Sequence, residues 1–313
     1  MRWFFVTLIF LLPDFIYSQD VHFSQLDKTN SLINPSLISI QNHDYELQLH
    51  RRSQWSSVTT PFNTFAASFN IKDVFKRFSL GFTILSDIAG DSNFSTDGIC
   101  ISVAKSINNR RSAISLGIQA SSYQRAINFN NLIFLENENL QNKKFTFLDI
   151  SLGLSSYTII NSSSSILFSM STYHLNNPNQ TLSSNTQVFL PHKHIIMTTY
   201  SSKLTDDIII YPTMFTSLQR QNKELILGCG ISYILNKDIN LKTGFYNRFN
   251  DAFFVTLGMQ KDNIDVLFSY DVNTSTLSNA SNAYGAFEFS VTYGWSIFNE
   301  INVPTNIICP RYL

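Results

Sequence analysis

Leu148-Asp149-Ile150-Ser151-Leu152-Gly153-Leu154-Ser155 alternates apolar and polar residues without a slip. A period of two is the strand period, and it sorts side chains onto two faces of a sheet. The same alternation runs through Ile114-Ser115-Leu116-Gly117-Ile118-Gln119-Ala120-Ser121. It returns with Phe253, Val255, Leu257 and Met259, and again with Ile264, Val266, Phe268 and Tyr270, as the apolar members. These bursts fill the chain from residue 43 to residue 294. Each runs for about ten residues, where a soluble strand usually has about five or six. A tilted strand needs roughly 9–11 residues to cross a bilayer. The fold class expected is therefore all-β, a transmembrane antiparallel β-barrel.

The expected strands are 43–53, 62–70, 78–86, 97–106, 112–124, 145–158, 164–174, 193–203, 207–217, 224–234, 238–248, 252–261, 263–273 and 284–294. They number about fourteen, an even count, as bacterial single-chain barrels require. The long connections, 54–61, 87–96, 125–144, 175–192 and 274–283, all follow odd-numbered strands. Short ones, such as 204–206 and 235–237, follow even-numbered strands. Outer-membrane barrels carry short periplasmic turns and long outer loops, so this parity puts both termini in the periplasm.

Residues 1–18 read as a signal peptide: Arg2, then the apolar run Trp3 to Leu12, then Ser18 at the cleavage position. Residues 19–42 read as a periplasmic N-terminal segment, 43–294 as the barrel and 295–313 as a periplasmic C-terminal tail. The expected location is the cell outer membrane. Only 14% of residues are charged, against about 25% in a usual soluble domain. Aromatics also make up 14%, which suits a lipid-facing wall with aromatic girdles. A soluble all-β sandwich is the rival, but its outer face would need more charge and its strands would be shorter. The net charge of zero argues against a nucleic-acid partner.

No catalytic, cofactor-binding or metal-ligating set stands out. P-loop, dinucleotide, zincin and nucleophile-elbow motifs do not occur. Cys100, Cys229 and Cys309 are an odd number without C-x-x-C spacing. His192 and His194 are two imidazoles beside Pro191, too few for a selective metal site. His174 has serines nearby but no nucleophile is singled out among them. Asp149, Asp265 and Asp271 fall on the polar phase of their strands, which points them into the lumen. A barrel of about fourteen strands is too wide for wall side chains alone to fill, since eight strands are just filled. Its lumen holds water or a plug, and residues 19–42 or 125–144 are long enough to enter it.

Several short elements follow one another along the chain. Gln19-Asp20-Val21-His22-Phe23-Ser24-Gln25 precedes Asn34-Pro35-Ser36 and then Arg51-Arg52-Ser53-Gln54-Trp55. Asp87-Ile88-Ala89-Gly90, His174-Leu175-Asn176-Asn177-Pro178, Tyr270-Asp271 with Ser275-x-Leu277, and Cys309-Pro310-Arg311-Tyr312 come next, in that order. This series resembles the PorP/SprF family of the Bacteroidetes type IX secretion system. The departures are Val21 for proline, Ser36 for alanine, and Phe287-Glu288 where the family tends to have His-Glu.

The resemblance implies a non-enzymatic outer-membrane barrel with no cofactor, serving type IX secretion or gliding motility by supporting export or surface attachment of adhesins. It implies as partners secretion-machinery subunits in the periplasm and outer membrane, a secreted surface adhesin as cargo, and the lipid bilayer. The interaction residues it implies are Phe23, Asn34, Pro35, Arg52, Gln54, Trp55, Asp87, Gly90, Asp271, Cys309 and Pro310. Segments 19–42 and 295–313 would meet machinery, while Trp55 and the loops 87–96 and 175–192 would face cargo. Rival functions are a porin-like diffusion or uptake channel and an outer-membrane lipase or acyltransferase.

Overall fold

The computed structural model describes residues 21–54, 60–75, 77–90, 94–129, 142–181, 187–274 and 284–296. Fourteen antiparallel strands close on themselves, β1 pairing with both β2 and β14. The strands are β1 (Tyr45–Gln54), β2 (Phe62–Phe75), β3 (Phe78–Ala89), β4 (Phe94–Asn108), β5 (Ser112–Ile127), β6 (Lys143–Asn161) and β7 (Ser164–Tyr173). They continue as β8 (Lys193–Lys203), β9 (Ile208–Gln219), β10 (Asn222–Ile234), β11 (Ile239–Arg248), β12 (Ala252–Lys261), β13 (Ile264–Asn273) and β14 (Tyr284–Trp295). Each lies where the alternation puts a strand. The largest differences are at β2 and in β4–β6, where the strands run several residues past the expected ends. Asp87, Ile88 and Ala89, expected in a loop, are the last residues of β3.

The wall is inside-out relative to a soluble protein. Ile114, Leu116, Ile118, Leu148, Ile150, Leu152 and Leu154 are all exposed. Their neighbours Ser115, Gln119, Asp149, Ser151 and Ser155 are buried. An exposed apolar face this continuous is what lipid contact requires, and the buried polar face is the lumen. At the short-turn end Tyr45, Phe69, Tyr293 and Trp295 stack with ring centroids 5.2–6.0 Å apart. Amphipathic rings at such a level form an interfacial belt.

β6 outruns β7. At the long-connection end the last paired residue of β7 is opposite Leu152, whereas β6 continues to Lys143. The His174–Pro178 element covers part of the edge left open. Leu175 N donates to Ile150 O (3.0 Å), and Asn176 Nδ2 to Leu148 O (2.7 Å). Asn176 Oδ1 accepts from Ile150 N at 3.1 Å. His174 sits at φ 62°, and its Nδ1 lies 2.9 Å from Asp149 Oδ1. An uncovered edge invites pairing with another chain, and this loop blunts it.

The segment expected in the periplasm is inside the barrel. Residues 21–44 thread the lumen as a helical turn at Leu26–Lys28, the one-turn helix α1 (Asn30–Ile33) and a second helical turn at Pro35–Ser39. Nearly every residue from Phe23 to Ser39 is buried. A closed wall lined by Ser, Thr, Gln, Asp and Arg leaves many polar groups to be satisfied. A polar segment connected to β1 satisfies them at little loop-closure cost.

Candidate functional site

The plug meets the wall through three kinds of contact. The first is steric. Gly117 on β5 and Gly153 on β6 are adjacent partners in the wall, and the plug backbone lies on them. A Cβ on Gly117 would come within 2.7 Å of Pro35 O. One on Gly153 would collide with the Asn34 side-chain amide, and one on Gly81 would meet Ile38 at 3.3 Å.

The second is neutral hydrogen bonding. Asn34 Nδ2 donates to Leu154 O (3.0 Å) and Met170 O (2.9 Å), while Asn34 Oδ1 accepts from Ser36 N at 2.9 Å. One side chain thus caps the turn at Pro35 and ties it to β6 and β7. Ser36 Oγ donates to Ser155 Oγ (2.8 Å), Ser39 Oγ to Ser115 Oγ (2.6 Å), and Ser171 Oγ to Ile33 O (2.6 Å).

The third is ionic and lies at the β1–β14 seam. Arg52 and Glu288 are directly opposite in the register that closes the barrel. Arg52 Nη1 pairs with Glu288 Oε1, and Arg52 Nη2 with Asp271 Oδ2 at 3.1 Å. Arg248 Nη1 approaches the same Asp271 oxygen at 3.3 Å. His50 Nε2 lies 3.1 Å from Glu288 Oε2. The plug enters this cluster with its backbone. Ser24 N and Gln25 N donate to the two Glu288 oxygens at 2.7 and 3.0 Å. Ser24 Oγ donates to Asp271 at 2.8 Å and accepts from Arg52 and Arg248 at 2.8 and 2.7 Å. Arg248 also pairs with Glu224 (3.0 Å) and with the more exposed Asp251 (3.3 Å), so each buried arginine faces more than one carboxylate and neither is left without a counter-charge. A smaller cluster joins Lys28 and Lys242 to Asp265, both at 2.5 Å.

In the plug, burial together with the Arg248 and Arg52 charges holds the His22 imidazole well below its ordinary pKa. Burial pulls Lys28 down, but the Asp265 carboxylate outweighs it and the net shift is upward.

The residues singled out in the sequence fall into place unevenly. Phe23, Asn34, Pro35, Arg52 and Asp271 belong to the plug or its seat. Phe23 sets its ring edge-on to His50, centroids 4.5 Å apart. Gln54, its oxygen turned toward the guanidinium, accepts from Arg52. Asp87 accepts from Thr64 Oγ1 at 2.6 Å, away from the seam cluster. Gly90 adopts φ 64° at the end of β3, a conformation that favours glycine. Trp55, Cys309 and Pro310 lie outside the described residues. Glu288, Arg248, Ser24, Lys28 and Asp265 complete the site. Asp265 was read only as an inward carboxylate and the other four were not nominated. Glu288 carried a signal: an inward acid between outward Phe287 and Phe289 demands a buried partner. His192 and His194 stand with ring centroids 6.3 Å apart. Among the described residues no three His, Cys, Asp or Glu groups are placed to hold a metal.

The family described as "Type IX secretion system membrane protein PorP/SprF" matches residues 16–293. The chain belongs to the PorP/SprF family. No curated protein matches it. Among solved structures, this PorP/SprF protein is similar to the Pseudomonas putida toluene transporter TodX, with TM-score 0.52 and 8% identity over 88% of this chain and 94% of that one. It is similar to the Ralstonia pickettii toluene transporter TbuX, with TM-score 0.52 and 10% identity over 83% and 90%. At such identity the likeness concerns the fold alone. Family and fold together make the PorP/SprF chain an outer-membrane component of type IX secretion.

Proposed function

We propose that the protein is a non-enzymatic scaffold of the type IX secretion and gliding machinery, supporting secretion or surface attachment of a cargo adhesin. The observation that carries this reading is the plug. A lumen crossed by a segment that hydrogen-bonds both sides of the wall is no conduit for a polypeptide. Work on a large secreted partner is then done at the two rims. The short-turn rim, with the tail 295–313, faces the periplasm and the machinery. The long-connection rim, with Trp55 and the loops around Gly90 and 175–192, faces cargo. The family membership supports association with secretion subunits.

The test is an affinity pull-down of the tagged chain from detergent-solubilised outer membranes, read by mass spectrometry. Secretion subunits or a large surface adhesin should co-purify, and a barrel that comes down alone counts against the scaffold. Removing 297–313 should weaken capture of periplasmic subunits while leaving the barrel in the membrane. Unchanged capture would remove the tail from the proposal.

A further inference from the structure

The plug does not fill the lumen evenly. Its Pro35–Ser39 turn lies against β2–β6, and between the plug and the inner face of β7–β13 there is a cavity of about 950 Å³. That cavity reaches the short-turn rim, where the exposed turn residues Arg110 and Arg111 border it. A second cavity, about 120 Å³, lies toward the long-connection rim. Among the described residues, Leu26 of the plug is the one that lines both.

Both cavities have polar walls, and the constriction between them does not. The inner cavity has hydroxyls in its wall, among them Thr199, Tyr211 and Thr243, beside charged groups such as Asp27, Lys72 and Lys242. The outer one has charges, among them Asp87, Arg125 and Lys193. Between them Leu26 packs in a buried apolar cluster with Tyr173, Ile195, Met197, Phe215 and Phe254. Ile195 lines the outer cavity and Met197 the inner one. They are successive inward residues of β8, so the barrier is one pleat repeat thick, roughly 7 Å at about 3.4 Å per residue. A polar, apolar, polar sequence around a thin dry constriction is the arrangement by which pores close through dewetting.

We propose that the β7–β13 side of the lumen is a gated path for small polar solutes, closed where Leu26 meets the barrel wall. The gate residue sits on the plug only two positions from Ser24, so the seam cluster that holds Ser24 also sets the gate. This activity is independent of the secretion role and is read without any partner.

The full-length protein in liposomes and planar bilayers tests it. Wild type should admit no arabinose and show no steady conductance. Leu26→Ser, which shortens and wets the constriction, should give both arabinose uptake and conductance. Ile38→Ala alters a buried plug residue that packs near Gly81 and lines neither cavity, and should stay closed. A closed Leu26→Ser overturns the gate. So does a wild type already as open as Leu26→Ser, or an Ile38→Ala that leaks equally, since the path would then run elsewhere. Should Leu26→Ser fail to insert, Met197→Ser makes the same test from the wall, and its staying closed overturns the proposal equally.

Discussion

Both sides of the lumen are lined with strand glycines, and the two sets do opposite things. On the plug side Gly81, Gly117 and Gly153 are empty places that plug atoms occupy. On the far side Gly228 and Gly244 are covered by the ring of Tyr246, a residue of the wall itself. Tyr246 in turn stacks on Phe254 at 4.9 Å. The first set admits a foreign backbone. The second lets the wall fill its own hollow, and the space beyond it stays open as the inner cavity. A glycine in a barrel strand therefore marks a close approach without saying by what.

The largest effect should come from the seam, which serves both sides. Glu288→Ala removes the acceptor for Ser24 N, Gln25 N and Arg52 at once. Breaking a buried pair from one side costs about 3–5 kcal/mol, because the remaining charge is stranded. We expect a matching drop in stability to urea in lipid vesicles. Amide exchange at residues 24–33 should also accelerate. Stability within about 0.5 kcal/mol of wild type, the range of an ordinary surface substitution, would show that the seam cluster does not hold the plug.

Gly153→Ala should act on the plug side alone. Its methyl group collides with the Asn34 amide, and overpacking of this kind costs about 1–3 kcal/mol. Exchange protection at residues 34–39 should fall, while that of β10–β12 should be unchanged. Equal loss on both sides would mean that the two halves are one cooperative unit.

Most of the barrel was legible because its signal is local. Alternation in β6 or β14 needs no knowledge of any other strand, and long connections after odd strands fix the parity. The plug was legible only as a need: a wide lumen and two segments long enough to enter it. Nothing in Phe23–Ser39 says which wall it meets, since Ser24 finds Glu288 across 264 residues of sequence. Arg52 and Asp271 were reached through family motifs; the inward Glu288 signals a need for a partner, but only the β1–β14 register shows that the partner is Arg52. The ends of β6 were placed short because Lys143, Lys144 and Asn161 break the apolar phase while keeping their ladder partners.

Asn34→Ala is the gentler probe of the same seat. It removes the cap on the Pro35 turn and the donor to Leu154 O and Met170 O, and adds no clash. A lost cap of this kind costs about 0.5–2 kcal/mol. In combination with Gly153→Ala the effects should be far from additive, since the methyl of the one fills space vacated by the other. A double mutant no less stable than Gly153→Ala alone is the expected result, and strict additivity would show that the two residues do not share a seat.

Gly230→Ala should have the smallest effect, and it separates the two kinds of glycine most directly. The added Cβ would lie 3.1 Å from the Tyr246 hydroxyl and 3.6 Å from Tyr211. The tyrosine hydroxyl is the tip of a side chain and can give by a few tenths of an ångström, whereas the Pro35 carbonyl against Gly117 is backbone and cannot. Gly230→Ala should therefore fold with stability within about 0.5 kcal/mol of wild type and keep the plug's exchange protection. Gly117→Ala, the same chemical change on the other side, should lose that protection. If Gly230→Ala releases the plug as Gly117→Ala does, the wall around Tyr246 also bears on the Pro35–Ser39 seat, and the division between the two kinds of glycine fails.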